Sequence, residues 1–232
     1  MKNLAAIFFL TGLLFSGPII RLGSQSNLHA AKLDSLLNVY EQKNKLMLTL
    51  AISKNGKVEY SRATGYAWYE GDKQIKSNTS TKFRIGSISK MFTSIMIQQL
   101  VEEKKLKMNT PLSKFYSKIP NAKKITIDQM LRHRSGLHNF SDDPDYVSYM
   151  LQPKTHTELV DMFTKQSSDF EPGTKMEYSN TNYILLGYII EKLTKKTYSE
   201  ALNERIVDKI ELKNTYYASN AEIGRASCRE RV

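Results

Sequence analysis

Asn55-Gly56 lies between two runs of alternating residues, and no other segment narrows the choice of fold as much. The pair is the strongest short-range hairpin signal, because the turn that matches strand twist needs two central residues at positive φ. Residues 46–53 form the first β-type run, and residues 57–64 return as the second. Ahead of them, Leu33, Leu36, Leu37 and Tyr40 recur at helical spacing, which predicts an amphipathic helix over residues 32–43. Behind them come a polar loop at residues 71–81, a short segment at 83–86, and then an almost wholly helical pattern. Ile88, Met91, Phe92, Ile95, Met96 and Leu100 mark one long helix that ends in the charged stretch 102–105. Three later helix starts carry capping boxes, in which a hydroxyl and an acid or amide three residues on satisfy free backbone N–H groups reciprocally. They are Thr126 with Gln129, Thr155 with Glu158, and Thr197 with Glu200. Residues 183–190 are apolar nearly all round, so that helix is expected to be buried against a sheet. One hairpin supplies only two strands, which are marginal alone. The expectation is an α/β chain of the segregated α+β type, with a sheet incomplete in this fragment.

The two ends read differently from the middle. Residues 1–30 begin Met1-Lys2, continue into an apolar run at 4–15, and leave through Ser16-Gly17-Pro18 and a polar stretch. This is the pattern of a secretory signal peptide, which implies a periplasmic or extracellular protein. Extended through Ile19 and Ile20, the same run is instead an uncleaved membrane anchor. At the other end, residues 223–232 bring Cys228 and three arginines with no apolar period. The bases ATC GGA AGA GCG TCG TGT AGG GAA AGA GTG, followed by a stop, encode these ten residues and match a sequencing adapter. The natural sequence is therefore expected to continue past about Glu222, and residues 31–222 to be the working domain. Without Cys228 that domain has no cysteine, so a disulfide, a thiol nucleophile and a zinc-thiolate site are excluded.

A chain that is 41% hydrophobic and 25% charged has enough apolar surface for a real core, which excludes a disordered tail. The net charge of +11 raises the question of a polyanionic partner. The lysines are scattered, however, and no arginine stripe alternates with aromatics, so nucleic acid is not expected. The charge reads as a solvated basic surface.

Chemistry enters at Ser87-Ile88-Ser89-Lys90, where the long helix begins. A lysine three residues after a serine stands on the same helical face one turn on, so its amine can reach the hydroxyl. Serine is a poor nucleophile at neutral pH and needs a base to take its proton as it attacks. A lysine serves only if burial or a neighbouring cation populates its neutral amine. The helix start adds N–H groups and a dipole that favour an oxyanion. Alone, the spacing is weak, and Ser87 as a helix cap beside a surface lysine is the bland alternative.

The flanks decide between these readings. Phe83-Arg84-Ile85-Gly86-Ser87-Ile88-Ser89-Lys90-Met91-Phe92-Thr93 resembles the nucleophile segment of the serine β-lactamase and penicillin-binding-protein superfamily, in its class C β-lactamase-like branch. That branch carries a Tyr-x-Asn motif about ninety residues later, and Tyr178-Ser179-Asn180 is the one such triplet in the chain. It follows Pro172-Gly173-Thr174, as in the family. Arg132-His133-Arg134-Ser135-Gly136-Leu137 is similar to the family's His-Thr-Ser-Gly-Leu segment, with Arg134 in place of the usual threonine. The resemblance implies a class C β-lactamase-like fold, a mainly antiparallel sheet flanked by helices plus a helical subdomain. It implies Ser87 as nucleophile, Lys90 as base or proton relay, Tyr178 as second proton-handling group, and Asn180 as binder of Lys90 and the substrate amide.

Other polar residues carry blander expectations. His133 and His138 lack a third ligand at metal spacing, and a structural role near the Ser135-Gly136 turn is expected. Asp142, Asp143 and Asp145 do not have the spacing of a calcium loop and are expected to form a solvated loop near the site entrance. Trp68 and Tyr69 read as packing beside a strand. Neither a metal nor an organic cofactor is implied.

The family's third motif, Lys or His, then Thr or Ser, then Gly, has no match after Tyr178. In relatives that strand supplies half the oxyanion hole and binds the substrate carboxylate. The substrates implied are β-lactams, D-amino-acid peptides of the cell wall, or carboxylic esters, turned over through an acyl-enzyme. The alternatives are a non-catalytic relative that binds peptidoglycan or a partner, and an inactive fragment.

Overall fold

The computed structural model describes residues 29–43, 46–70 and 72–217, so the predicted leader and the adapter-like tail lie outside the described residues. These residues fall into two compact units, one running to Tyr66 and including Lys76–Thr79, the other comprising Ala67–Ile75 and the chain from Ser80 onward.

In the first unit, α1 (Ala30–Gln42) starts two residues before the predicted point and precedes the hairpin of β1 (Leu48–Lys54) and β2 (Lys57–Thr64). Asn55 at φ 50° and Gly56 at φ 74° give the two left-handed residues that the turn requires. The antiparallel register pairs Leu48 with Thr64 and shifts once, between Ile52 and Ser53. Arg62 ties β2 to α1: its guanidinium reaches Asp34 Oδ1 at 3.0 Å, Asn38 Oδ1 at 2.5 Å and Glu41 Oε2 at 3.2 Å. Tyr60 adds a hydroxyl bond to Asp34 at 2.8 Å, and Leu37, Tyr60 and Thr64 are buried in this small layer.

The polar loop expected at residues 71–81 is corrected. β3 (Tyr66–Glu70) and β4 (Lys73–Lys76) pair there as a second two-stranded sheet, with Trp68 and Tyr69 in β3 itself. Lys73-Gln74-Ile75-Lys76 is exposed along its whole length, so it has no buried face to write an alternating pattern into the sequence.

From Ser80 onward the second unit is mainly helical. A 3₁₀ turn at Gly86–Ile88 leads into α2 (Ser89–Glu102), followed by α3 (Ile127–Leu131), α4 (Tyr146–Tyr149), α5 (His156–Lys165), α6 (Asn180–Thr194) and α7 (Tyr198–Leu202). Thr126, Thr155 and Thr197 close the predicted capping boxes on α3, α5 and α7, with both reciprocal bonds present in each. The core lies between α2 and α6. Met96, Ile97 and Leu100 meet Leu185, Leu186, Ile189 and Ile190, all at 0% exposure, each worth about 1.5–3 kcal/mol of burial. The expectation that this apolar helix rests on a sheet is therefore wrong: α6 packs against α2, α3, α5 and α7. A helix surrounded by helices is apolar all round for the same reason as one under a sheet, so the sequence could not tell the two apart.

Candidate active site

Ser87 sits in the 3₁₀ turn just ahead of α2, after Gly86 at φ 52°. Its hydroxyl caps nothing: Ile88 is the cap residue of α2, with no side-chain cap bond. The hydroxyl is instead free to face the other predicted groups. Lys90, in the first turn of α2, donates from Nζ to Ser87 Oγ at 3.0 Å. Tyr178, two residues before α6, brings its hydroxyl to 2.6 Å from Ser87 Oγ. Asn180, the first residue of α6, accepts from Lys90 Nζ at 2.7 Å through Oδ1. The four residues singled out in the sequence thus meet in one cluster, although 91 positions separate Ser87 from Tyr178.

The charges in this cluster set its acidity. Burial pushes the Tyr178 phenol up, but hydrogen bonds from Lys90 and Ser87 and the Lys90 charge outweigh it, so the phenol lies below its ordinary value of 10. The Lys90 ammonium also stands 4.9 Å from the Tyr178 ring centroid and 5.5 Å from that of Tyr183, over electron-rich faces. The site is open, with Ser87 exposed and Tyr178 44% exposed.

A ring of residues beyond these four holds this geometry. His133, at φ 55°, lies under Tyr178 with ring centroids 4.6 Å apart. Its carbonyl accepts from Glu177 N at 2.9 Å and its Nδ1 accepts from Ser179 N at 3.2 Å, so it grips the chain on both sides of Tyr178. Burial and the Lys90 charge lower its pKa and so favour the neutral ring, in which the Ser179 N–H bond assigns the lone pair to Nδ1. The role expected for His133 at the Ser135-Gly136 turn is therefore wider, since it supports Tyr178 directly. At the start of α6, Asn139 Oδ1 accepts from Asn180 N at 2.8 Å, and Asn180 Nδ2 donates to Ser141 Oγ at 2.9 Å. Asn139 and Ser141 carried no signal in the sequence, because both lie about forty positions from the motif they support. Among the described residues, no group of three or more histidine, cysteine or acidic side chains is placed to hold a metal ion.

The family model described as Beta-lactamase matches residues 37–227, most of the chain. This chain belongs to the Beta-lactamase family. Among its relatives, the teichoic acid D-alanine hydrolase of Staphylococcus aureus is 31% identical over 181 residues, covering 78% of this chain and 43% of that protein. The penicillin-binding protein homologue of Pyrococcus abyssi has a similar structure, with a TM-score of 0.71 at 27% identity over 85% of this chain and 46% of that one. The D-amino acid amidase of Ochrobactrum anthropi SV3, complexed with D-phenylalanine, gives a TM-score of 0.67 at 28% identity over 80% of this chain and 52% of that one. This chain therefore spans about half the length of these relatives or less.

The mixed α/β Beta-lactamase fold also places a departure from the family's pattern. Arg134, where a threonine is usual, donates from Nη2 to the Gly173 carbonyl, while Gly173 N donates to Arg134 O at 2.8 Å. The substituted side chain thus fastens the Pro172-Gly173-Thr174 turn that precedes Tyr178.

Proposed function

We propose that the protein is a serine hydrolase that works through an acyl-enzyme on Ser87. The observation that carries this reading is the position of Ser87 Oγ, within hydrogen-bond reach of both the Tyr178 hydroxyl and the Lys90 amine. An activated serine needs a nearby group to accept its proton and a fixed charge to hold the resulting anion. Tyr178 as phenolate takes the Ser87 proton while Oγ bonds to the substrate carbonyl carbon, and Lys90 holds the phenolate and relays protons. Collapse of the tetrahedral adduct breaks the bond to the leaving group, which leaves with the proton from Tyr178. Water then adds to the acyl carbon by the same route, releasing the acid and restoring Ser87. Asn180 fixes Lys90 and offers its amide to the substrate.

The relatives' names support a narrower substrate class. A teichoic acid D-alanine hydrolase and a D-amino acid amidase share an acyl group, that of a D-amino acid, joined to different leaving groups. We take a D-amino-acid ester or amide of the cell envelope as the substrate class, in preference to a β-lactam. An exported protein fits that location, as does the leader pattern at residues 1–30. Incubation with a fluorophosphonate and with a D-alanyl ester, followed by peptide mass spectrometry, tests the reading. The expected result is a covalent adduct on the Ser87 peptide, absent from Ser87→Ala. A folded protein that forms neither adduct overturns it.

A further inference from the structure

His138 follows the Ser135-Gly136-Leu137 turn and presents both ring nitrogens to carboxylates. Nδ1 lies 2.8 Å from Asp169 Oδ1, and Nε2 lies 3.0 Å from Asp143 Oδ1. Both acids are anchored in turn. Asp143 Oδ2 accepts from Gln166 Nε2 at 3.1 Å, just after α5, and Asp169 N donates to Gly136 O at 2.9 Å. An ionised carboxylate only accepts hydrogen bonds, and a neutral imidazole has one N–H and one bare nitrogen. Two such contacts on one ring therefore require a hydrogen on each nitrogen, the imidazolium.

The backbone of the same residue reaches the site. The His138 carbonyl accepts from Thr181 Oγ1 at 2.6 Å and from Ser179 Oγ at 3.3 Å, and its neighbour Asn139 holds the Asn180 amide. These bonds fix the segment that presents Tyr178 and Asn180.

We propose that Asp143, His138 and Asp169 form a proton-dependent clamp in which His138 is a positioning residue, holding the start of α6 so that Tyr178 and Asn180 face Ser87 and Lys90. What the positioned groups accomplish rests on the hydrolase reading above, but the clamp itself does not. Loss of one proton leaves a ring lone pair against a carboxylate oxygen, and that contact opens. The charged groups that bear on the ring are Asp169, which follows α5, and Asp143, on the loop into α4. Burial pulls His138 down, yet its bonds to these two acids prevail and leave it above its ordinary value of 6.5. A raised folded value means that the clamp is fully engaged below about pH 6.5 and lets go as pH climbs through the folded pKa.

The test is a pH titration of the full chain by NMR, following the His138 Cε1–H signal and the Asn180 backbone amide. The expected result is a His138 midpoint above 6.5, with the Asn180 amide moving at the same midpoint. Asp169→Asn supplies an N–H to the bare ring nitrogen, so a neutral ring is satisfied. In that variant the midpoint should fall by about one pH unit or more, and the Asn180 amide should cease to follow it. Asp143→Asn makes the same prediction through the other nitrogen and serves if the first variant does not fold. A wild-type midpoint at or below 6.5, or an Asn180 amide indifferent to the titration, overturns the clamp. Coupled signals in a protein that forms no adduct on Ser87 would uphold the clamp and overturn only the hydrolase reading.

Discussion

Lys90 spends one ammonium group on two oxygens, Ser87 Oγ and Asn180 Oδ1, and lends its charge to a phenol that lies against the same serine. Replacing that phenol should remove the proton acceptor and leave the nucleophile in place. Tyr178→Phe is expected to slow acylation by about 10²–10⁴-fold, read as the rate of fluorophosphonate labelling, while far-UV circular dichroism stays unchanged. The pH dependence follows from the direction of the Tyr178 shift. Labelling should rise with pH through a midpoint below 10, and Lys90→Met should move that midpoint upward, since the cation that favours the phenolate is gone. A midpoint indifferent to Lys90→Met would remove Tyr178 from the proton path. At this scale the sequence was legible where chemistry imposes a spacing, as in Ser87 to Lys90 or Tyr178 to Asn180. Asn139 and Ser141 were not, and of His133 only a structural role was, because their contacts depend on a left-handed bend at residue 133 and a loop path that no local pattern encodes.

Each of the three capping boxes was readable as four consecutive residues, and each closes as read. Capping is local physics, settled within one turn of chain. Thr155→Ala should therefore cost about 1 kcal/mol in denaturant melts, with the loss confined to the start of α5. The second hairpin and the surroundings of α6 were not readable, since each depends on what packs against the element rather than on the element itself. Gly136 stands between these cases. At φ 74°, with the position of an added Cβ falling 2.0 Å from the Phe170 carbonyl oxygen, it admits no side chain without moving the strand-like pairing of Leu137 with Ser168. Gly136→Ala is expected to destabilise by more than about 1 kcal/mol and to lower the labelling rate as well, because Asp169 and His138 flank the same pairing. An unchanged melt would show that the turn yields easily.

For the molecule as a whole, the net charge of +11 bears on which substrates arrive, not on how they react. A D-amino-acid ester carried on an anionic polymer should be processed with a KM that rises several-fold from about 50 mM to about 500 mM salt, as screening shortens the reach of the field. A small neutral ester should show no such change. Equal salt dependence of the two would assign the lysines to solubility alone. That α/β character and family membership were visible in the chain, whereas the number of sheets was not, reflects where information resides. Motif order is written along the sequence itself, but strand pairing depends on which distant strands are brought together.

The four clustered residues gather at the starts of two helices, α2 and α6, whose buried apolar faces meet further along. Ser87 lies just ahead of α2, in which Ile97 stands about 12 Å along the axis from Ser89, and Tyr178 lies just ahead of α6, in which Leu186 stands about 9 Å along the axis from Asn180. Such a pair behaves like pliers, with the jaws at the hydroxyls and the pivot in the core. Over a lever of about 12 Å, a tilt of about 2° changes the gap between the hydroxyls by about 0.4 Å, the difference between a strong hydrogen bond and a weak one. Mechanical tolerance in the core, together with the polar groups that hold Tyr178 and Asn180, then sets how much wear the molecule can take before its jaws no longer meet.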